Sequence, residues 1–284
     1  MRRTIYSGNM PELPEVETIV RSIRPHVRGK QISAVWTNTP RLFREPNRSH
    51  AKFQDTYATI EKHIIGTRIE NVGRHGKNIF FELSNGNDLL VHLMMSGRFL
   101  WNPREENPYI RFRMEFTSGE ILAFFDVRKF GLIRLLPRSE RKMLNLGPDA
   151  LAVSADEFKK IISGRRGSIK PLLLNQSVIS GIGNIYADEI LWYAGIHPLR
   201  ATDSFYEKDI RKIHASMVKV LVRAVKYGGS TMMHYRALDG SKGEYYDIRK
   251  VYRRTGELCS RDGAVIERIL VGQRSTHFCP MHQI

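Results

Sequence analysis

The sequence PELPEVE at residues 11–17 combines two prolines, three glutamates and two apolar residues. A helical pattern follows at once, because apolar residues repeat at the i, i+3, i+4, i+7 spacing of one helix face: Val16, Ile19, Val20 and Ile23. Pro14 suits the first helical position, and glutamates suit the positive end of the helix dipole. Residues 11 and 12 are therefore predicted at the N-terminal edge of a helix. The stretch is either an ordinary acidic helix start or, if translation begins at Met10 and that methionine is removed, a free proline amine beside a carboxylate.

The composition indicates a nucleic-acid-binding protein with one large domain or two of ordinary size. The chain has 284 residues, a formal net charge of +16 and 42% hydrophobic residues, and its cations are spread along the sequence. Basic globular proteins of this kind most often bind nucleic acid. No apolar run approaches the roughly 20 residues of a membrane span, and residues 1–10 lack the apolar core of a secretory signal. Two cysteines are too few for a disulfide framework, so the cytoplasm is the expected compartment.

Residues 11–140 are predicted to form a β-sandwich domain with helices at its edges. The sequence Ser-Asn-Gly-Asn at residues 84–87 lies between two apolar runs and is a strong hairpin signal. Apolar and charged residues alternate from 110 to 116, as in a half-buried strand. The first helix is predicted to end near residue 28, and residues 37–50 are predicted to be a loop. The predicted strands are 31–36, one or two within 60–72, 78–83, 88–93, 110–116, 121–125 and 131–136.

The second half has a helical period, and the chain as a whole is therefore predicted to be an α+β multidomain protein. Helices are predicted at 157–162, 169–174, 184–193 and 208–225. Residues 145–240 are expected to form the helical domain, and 228–257 to be a loop with one strand. Residues 247–284 contain both cysteines and are expected to form a small C-terminal module.

The sequence Gly-Ile-Gly-Asn at residues 181–184 lies between two predicted helices. Asn184 is a favourable N-cap, and glycines before a helix let backbone N–H groups point at a phosphate. The stretch is therefore either a phosphate clamp or the plain turn of two packed helices, and the sequence favours neither.

Three loops of the first half carry residues suited to DNA. Lys77 leads into an apolar strand, and Met95 follows the predicted hairpin. Arg128 and Phe130 share one short turn with a second cation. A lone Lys is more often a strand edge and a Met more often core, but a Met at a loop tip can wedge between bases. A cation beside an aromatic ring can hold phosphate and stack on a base.

The C-terminal module contains two pairs with metal-ligand spacing. Cys259 and Asp262 form the first pair, and Cys279 and His282 form the second. Two such pairs resemble a zinc ribbon, although Asp is uncommon in structural zinc sites. The alternative is a metal-free hairpin. In either case residues 273–276 are expected at the hairpin turn, with Arg274 directed towards phosphate.

Taken together, these motifs resemble the formamidopyrimidine-DNA glycosylase family. The resemblance rests on PELPEVE (11–17), a Lys before a strand (77), HLMMSG (92–97), DVRKFG (126–131), LGPDAL (146–151), IKP (169–171), GIGNIYADE (181–189) and QRST (273–276). It covers residues 11 to 282, and PELPEVE and GIGNIYA are its most specific parts. It implies a β-sandwich, a helix–two-turn–helix domain and a zinc-finger-like hairpin.

The resemblance also implies the chemistry. Members of the family excise oxidised purines, among them 8-oxoguanine and formamidopyrimidines, and then cut the abasic strand by β- and δ-elimination. The base must leave the duplex first. Four residues match catalytic positions of the family, namely the proline nucleophile, the acid and two phosphate-contacting cations: Pro11, Glu12, Lys77 and Arg274.

Seven further residues match DNA-binding positions. Met95 matches the residue that fills the gap left by the flipped base, and Arg128 and Phe130 match the pair that faces the orphaned base. Lys170 and Asn184 match phosphate contacts of the helix–two-turn–helix. Arg166 and Tyr109 stand where the family often has a DNA-binding Lys and His, and Tyr109 departs from that His in type. The implied partner is double-stranded DNA with oxidised bases or abasic sites, bound by a monomer at the nucleoid. The implied cofactor is one structural zinc ion held by Cys259, Asp262, Cys279 and His282.

The chain departs from the family pattern at three points. Residues 1–10 precede the proline and are expected to be absent from the mature enzyme, because a tertiary amide at Pro11 could not form an iminium. Asp262 and His282 stand where cysteines are usual, and Arg253 stands where a glycine is usual. Three alternatives remain: an oxidised-pyrimidine glycosylase of the endonuclease VIII type, a silent binder of damaged DNA if the extension is retained, and a generic basic nucleic-acid-binding protein.

Overall fold

The computed structural model describes residues 10–43, 53–103, 107–231 and 235–284, with the side chains of 53–55 left aside. Residues 1–9 of the expected extension and residues 44–50 of the expected loop lie outside this part of the chain. The structure divides into two compact units. The first contains the described residues up to Leu144 together with Gly228–Glu244, and the second contains Asn145–Tyr227 and Tyr245–Ile284.

The first unit is a sandwich of two four-stranded antiparallel sheets, as the sequence predicts. The strands are β1 (Ile32–Thr37), β2 (Ile69–His75), β3 (Asn78–Leu83), β4 (Asn87–His92), β5 (Gly97–Trp101), β6 (Ile110–Phe116), β7 (Ile121–Asp126) and β8 (Leu132–Pro137). One sheet has the strand order β1-β6-β7-β5 and the other β2-β3-β4-β8. Two α-helices accompany them, α1 (Leu13–Val27) and α2 (Phe53–Ile64), with 3₁₀ turns at Pro40–Leu42 and Arg138–Leu144.

One core holds α1 and both sheets together. The apolar face of α1 is fully buried and belongs to the same cluster as strand residues of each sheet. Aromatic rings fill much of the space: Phe99 packs edge-on against Phe81 of one sheet and Phe124 of the other, with ring centroids 5.7 and 5.5 Å apart. Because α1 is anchored along this face, its N-terminal turn has a fixed position on the sandwich.

The structure corrects two predictions about elements in this unit. Residues 60–64 end helix α2 and are not strand; Ile60 and Ile64, four residues apart, are both buried on one helix face. Only the later part of 60–72 is a strand, beginning at Ile69. Strand β5 was not predicted. Its five residues directly follow a turn, and their alternation of buried and less buried positions is too short to indicate a strand.

The second unit is helical with a terminal hairpin. Its principal helices confirm the four predicted ones: α3 (Ala155–Ser163), α4 (Ile169–Leu174), α5 (Asn184–Ala194) and α6 (Glu207–Lys226). A 3₁₀ turn at Thr202–Ser204 and a single-turn helix α7 (Tyr245–Ile248) complete the helical part. The hairpin pairs β9 (Glu267–Val271) with β10 (Arg274–Phe278).

The segment Gly228–Glu244 groups with the sandwich and not with the helices that precede it. The sequence placed residues up to 240 in the helical domain. The reason for the difference is contact: the Ser230 backbone N–H donates to Glu15 at 2.6 Å, and Tyr235 is buried in the sandwich core. The long helix α6 therefore ends where the chain returns to the first unit.

Arg253 has a φ of +54°, which lies in the left-handed region that favours glycine. This explains why a glycine is usual at this position. The neighbouring backbone is fixed by Glu189, whose carboxylate accepts the N–H groups of Val251 and Tyr252. The arginine is therefore held in a strained conformation by well-anchored neighbours.

No helix among the described residues has both the length and the apolar character needed to cross a membrane.

Candidate active site and nucleic-acid interface

The motif at residues 11–17 forms a capped helix start. Glu12 is the N-cap residue, and its carboxylate accepts the Glu15 backbone N–H. In return, the Glu12 backbone N–H donates to Glu15 Oε2 at 2.9 Å. Pro11 is buried, and Glu12 and Glu15 are only 3% and 2% exposed. The turn thus holds a proline and two carboxylates in a fixed, poorly hydrated place at the positive end of a helix.

Glu15 also fastens the segment Gly228–Glu244 to this helix start. Its second oxygen accepts the Ser230 N–H, so both carboxylate oxygens are used by backbone donors. Gly229 lies so close that a Cβ there would sit 2.6 Å from Glu15 Oε1. The sequence did not assign Glu15 to the site. The signal that could have found it is the glutamate three residues after the N-cap, the capping-box position.

Lys77 lies in the turn between β2 and β3, and a chain of contacts links this turn to α1. Arg74 Nε donates to Glu17 Oε2 at 2.9 Å, and its Nη1 donates to the Gly76 carbonyl at 2.9 Å. Burial opposes ionisation of Glu17, but hydrogen bonds from Arg74 and Arg21 outweigh it and lower the pKa of that carboxyl. Glu17 is therefore ionised at neutral pH and holds the Lys77 turn near the helix.

His92 ends β4 just before the Met95 turn. Burial, together with the charge of Lys77, lowers the pKa of His92 to about 4. The ring is therefore neutral near pH 7, and Nδ1 accepts the Met94 N–H at 3.0 Å. Met94 has a φ of +52°, so this hydrogen bond supports a strained turn.

The structure brings together three residues that the sequence proposed to face the gap in the duplex. The Arg128 guanidinium lies 4.7 Å from the Phe130 ring centroid, and its Nη1 is 3.3 Å from Met95 Sδ. Arg128 is exposed and Phe130 is 41% exposed, which is high for an aromatic ring. We call these three residues the wedge cluster. It brings a thioether, an exposed cation and an exposed ring together on the first unit.

The buried carboxylate of Asp126 organises the wedge cluster. It accepts the Arg128 N–H at 3.1 Å, the Gly131 N–H at 2.8 Å and the Ser96 hydroxyl. One side chain therefore fixes both the turn that carries Arg128 and Phe130 and the turn that carries Met95. Neither Asp126 nor Ser96 was assigned to the site, although both stand within the quoted motifs.

Tyr109 and Arg166 are exposed at separate places. Tyr109 precedes β6, is 43% exposed, and its carbonyl accepts the Asp126 N–H at 2.9 Å. It therefore lies beside the strand that leads to the wedge cluster. Arg166 follows α3 in the second unit.

Lys170 and Asn184 meet at one carbonyl of the hairpin. Asn184 Nδ2 donates to the Ser275 carbonyl at 2.9 Å, and Lys170 Nζ lies 3.2 Å from the same oxygen. Asn184 is not the N-cap that the sequence suggested: Gly183 has the extended cap conformation, and Asn184 is the first helical residue. Its amide is directed to the hairpin instead of its own backbone, next to Arg274.

Lys170 is fully buried in an ion-pair network. Its Nζ lies 2.6 Å from Asp188 Oδ1 and 2.7 Å from Thr276 Oγ1. Asp188 Oδ2 accepts the backbone N–H of His277 at 3.0 Å and lies 2.9 Å from Nδ1 of the same residue. The lysine charge is thus compensated inside the protein. Arg274, by contrast, is exposed at the first position of β10.

Four possible metal ligands converge beside the hairpin: Cys259, Asp262, Cys279 and His282. Their ligand atoms all lie within 4.8 Å of one another. Cys259 Sγ is 3.7 Å from His282 Nδ1, and Cys279 Sγ is 3.3 Å from each Asp262 oxygen. Ligand atoms around a tetrahedral zinc ion are roughly 3.3–3.8 Å apart, given bond lengths near 2.0–2.3 Å. The donor set therefore fits one metal ion, while His282 Nδ1 and Asp262 Oδ2, which lie 2.6 Å apart, would separate to reach tetrahedral spacing.

The remaining nitrogen of His282 supports this arrangement. Nε2 lies 3.3 Å from the Trp192 carbonyl, which orients the ring so that Nδ1 faces the other ligands. A histidine that binds metal through one nitrogen usually donates its other N–H to such an acceptor. The cluster could thus hold a metal without rearrangement of the ring.

Comparison with known proteins decides the family. The formamidopyrimidine-DNA glycosylase N-terminal domain model matches residues 10–133, and the H2TH domain model of the same family matches residues 145–236. The chain belongs to the formamidopyrimidine-DNA glycosylase family. It is therefore a DNA-repair enzyme of a family that combines glycosylase and abasic-site lyase activities.

Individual family members agree with this assignment over almost their whole length. Formamidopyrimidine-DNA glycosylase of Protochlamydia amoebophila is 39% identical over 283 residues, covering 96% of this chain and 99% of that protein. The corresponding enzyme of Lactococcus lactis subsp. cremoris is 37% identical over 287 residues, covering 96% and 99%.

Solved structures give the same result. A complex of Lactococcus lactis Fpg with DNA containing an abasic site matches with a TM-score of 0.84 and 34% identity, covering 96% of this chain and 99% of that one. A point mutant of the same enzyme, bound to DNA containing Fapy-dG, matches with a TM-score of 0.84 and 35% identity over the same shares.

Proposed function

We propose that the chain excises oxidised purines, 8-oxoguanine and formamidopyrimidines, from duplex DNA and then cleaves the abasic strand through a Schiff base on Pro11. The observation that carries this proposal is the buried N-terminal turn of α1, where Pro11 precedes a carboxylate that is fixed by a capping box. The related Lactococcus lactis enzyme has been solved on DNA with an abasic site and with Fapy-dG, the two kinds of site this chemistry handles.

Pro11 supplies the nucleophile once its nitrogen is a free secondary amine. Residues 1–10 must therefore be removed or absent, and the family model accordingly begins at residue 10. An α-amino group of pKa about 7.7–8 already has a useful neutral fraction near pH 7. The positive end of the helix dipole favours that neutral form further. The amine lone pair attacks C1′ of the sugar and the base leaves with the bonding electron pair. The amine nitrogen then loses its proton, the departing base takes up a proton, and the nitrogen lone pair is free again.

Glu12 acts as the acid that opens the sugar. It protonates the ring oxygen, the C1′–O bond breaks, and the nitrogen lone pair forms the iminium with C1′. The iminium makes the C2′ proton acidic, so its removal expels the 3′ phosphate, and a second elimination expels the 5′ phosphate. We assign phosphate contacts during these steps to Lys77 and Arg274. Hydrolysis of the final imine by water regenerates the Pro11 amine.

The wedge cluster reads the duplex around the extruded base. Met95 fills the gap in the stack, Arg128 offers its planar donor fork to the orphaned cytosine, and Phe130 stacks beside it. Tyr109 and Arg166 contact backbone phosphates. Asn184 and Lys170 serve DNA binding by fixing the Ser275 carbonyl and, with it, the place of Arg274. Lys170 is too deeply buried and too well paired to neutralise a phosphate itself.

A zinc ion fits the four-ligand cluster and would serve a structural role. Cys259, Asp262, Cys279 and His282 would hold it, and the ion would fix the loops beside the hairpin. We expect metal content by elemental analysis to be one zinc per chain, and Cys279→Ser to lose it while Met281→Ala, an exposed neighbour, retains it. Equal zinc content in all three proteins would contradict this assignment. We further propose that the enzyme acts in the cytoplasm at the nucleoid, where its DNA substrate lies, and that it acts as a monomer.

The test is a substrate panel in the presence of borohydride, which reduces the iminium to a stable adduct. Duplexes carry 8-oxoguanine opposite cytosine, thymine glycol opposite adenine, or no lesion. With 8-oxoguanine we expect a covalent adduct when borohydride is present and doubly eliminated ends in parallel reactions without it. Glu12→Gln should lower the rate by about 10²–10⁴-fold. Faster cleavage of thymine glycol would favour an oxidised-pyrimidine enzyme. Binding without any adduct would favour a silent damage binder.

A further inference from the structure

A cationic pocket lies wholly within the second unit; it adjoins the metal-ligand cluster, but none of its lining residues is assigned above to DNA or metal. Its volume is about 500 Å³, within the range of small-ligand sites. It is formed by the end of α5, the middle of α6 and the loop between the metal ligands Cys259 and Asp262. The residues that matter for its chemistry are Trp192, Tyr193, Lys212, Lys219, Lys250 and Arg261.

The charge of this pocket is one-sided. Its lining includes four cations and no carboxylate. In the described part of the chain, none of the four forms an ion pair, whereas Arg211 on α6 and Arg254 nearby pair with glutamates. Glu189 interacts electrostatically with Tyr193 and helps to raise its pKa. The oxygens of Glu189, however, accept hydrogen bonds from the backbone N–H groups of residues 250–252. The pocket therefore concentrates uncompensated positive charge in a concavity, which raises the local concentration of anions.

Aromatic contacts hold two of these cations in place without neutralising them. Arg261 lies over the Trp192 ring, with its Cζ 4.6 Å from the centroid, and Lys219 Nζ is 5.1 Å from the Tyr193 centroid. Tyr193 is itself fixed by a 3.0 Å hydrogen bond from Arg223. A cation–π contact uses the face of the ring and leaves N–H donors available to a ligand. Ordering the side chains beforehand lowers the entropy cost of binding.

Two of the cations converge on one point. Lys212 Nζ and Arg261 Nη1 lie 3.5 and 3.7 Å from the position that a Cβ on Gly195 would occupy. Gly195 is the left-handed residue that ends α5, so part of this charge also faces the negative end of a helix. A purely structural role as a helix cap is therefore the competing explanation.

The pocket is distant from the N-terminal end of α5. Trp192 is eight residues beyond Asn184 on the same helix, a rise of about 12 Å at 1.5 Å per residue. Asn184 and the Ser275 carbonyl that it holds lie at the start of the helix. A ligand in the pocket would thus leave the site assigned to the lesion strand unobstructed.

We propose that this pocket is a second anion site that binds phosphate groups. An Arg fork and several lysines are the donors that proteins use for phosphate, and the size suits two phosphates linked by a sugar. The phosphates come either from a free nucleotide or from the backbone of a second DNA segment. Both sources present the same chemistry to the pocket.

The test is calorimetric titration of the full-length protein with thymidine 3′,5′-bisphosphate, the smallest piece of DNA backbone with two phosphates. Three proteins are compared: wild type, Lys212→Gln/Lys219→Gln, and the control Lys208→Gln/Lys226→Gln. All four lysines are exposed on α6, and the control pair lies outside the pocket. We expect saturable binding to wild type, a loss of at least about tenfold in affinity for the pocket variant, and little change for the control.

Three results would overturn the proposal. The first is no saturable binding of the bisphosphate to wild type, and the second is an equal loss of affinity in both variants. The third is a pocket variant that unfolds at a lower temperature yet binds with wild-type affinity, as the helix-cap explanation predicts. The affinity of each protein for undamaged duplex DNA, measured over a range of salt concentrations, distinguishes the two sources of phosphate. If the backbone is the source, the pocket variant alone reduces the slope of log affinity against log salt by about 2. If a free nucleotide is the source, the slopes of the two variants agree.

Discussion

Arg128 of the first unit and Lys170 of the second both match DNA-binding positions in sequence, yet their surroundings are opposite. Arg128 is exposed, and its side chain contacts Met95 and Phe130, two residues with which it shares a proposed task. Lys170 is fully buried and is paired with Asp188. The difference suggests a distinction that can be tested: a cation in a DNA-binding motif contacts the DNA itself or supports another residue that does. Burial and the partner decide which, and neither is visible in the motif.

The largest expected effect tests the buried member of this comparison. Asp188→Asn removes the anion that compensates Lys170 and leaves a buried unpaired charge, so the free energy of unfolding should fall by about 3–5 kcal/mol. Asp156→Asn is the matched control, because Asp156 makes a long, exposed contact with Arg211 at 3.7 Å and should cost less than about 1 kcal/mol. Denaturant unfolding measures both. Equal losses would mean that the Lys170 pair does not hold the hairpin.

The next effect concerns Glu15, which joins the α1 start to Gly228–Glu244. Glu15→Gln replaces one acceptor oxygen by an NH₂ group, so either the Glu12 or the Ser230 N–H loses its partner. Leaving a buried donor unsatisfied costs about 1–3 kcal/mol. Thermal unfolding of this variant and of Glu157→Gln, an exposed helical glutamate, checks the prediction. Indistinguishable unfolding temperatures would show that the capping box is dispensable.

The exposed member of the comparison should behave in the reverse way. Arg128→Lys removes the planar fork and should reduce discrimination for cytosine opposite the lesion by about 1–3 kcal/mol, with the unfolding temperature unchanged. The measurement is the cleavage rate of 8-oxoguanine opposite each of the four bases. Lys129→Gln removes a charge from the same turn and should lower affinity for all four duplexes alike. Loss of stability in Arg128→Lys would place Arg128 with Lys170 as a structural cation.

The last effect, which is the smallest near neutral pH and grows as pH falls, is a pH dependence of the sandwich. The folded pKa of His92 is about 4, below its ordinary value of 6.5. The unfolded chain therefore takes up a proton between pH 6.5 and 4 while the folded protein does not, so the free energy of unfolding should fall as pH falls through this window. His92→Gln should flatten the profile there. An unchanged profile would show that His92 is not held neutral by the fold.

Much of the fold could be predicted because local patterns and tertiary contacts agree. The hairpin at residues 84–87, the alternation in β6 and the helical period of α5 and α6 all match the observed elements. The failures occur where tertiary contact decides. Residues 60–64 form a helix because Ile60 and Ile64 pack into the core. The H2TH match extends into Gly228–Glu244, to residue 236, as the predicted domain does, but this segment contacts the sandwich because Glu15 binds Ser230.

The candidate site was predictable to the extent that its residues sit in short motifs. Motifs identify Arg128 and Met95, but they do not reveal that Asp126 fixes both of their turns. They mark Asn184 as a cap, whereas its amide reaches a carbonyl 91 residues later in the chain. Contacts of such long sequence separation leave no periodic signal. They are also the contacts that convert a set of motif residues into a positioned site.

The central claim is that Pro11 is the nucleophile, and mass spectrometry of the borohydride-trapped complex tests it most directly. The mature protein is digested after trapping on a duplex with 8-oxoguanine opposite cytosine, and the modified peptide is sequenced. The account predicts that the reduced sugar is attached to the nitrogen of Pro11, in a peptide that begins at that residue. An adduct on a lysine such as Lys77, or a protein that cleaves the duplex while Met10 is still joined to Pro11, would contradict it.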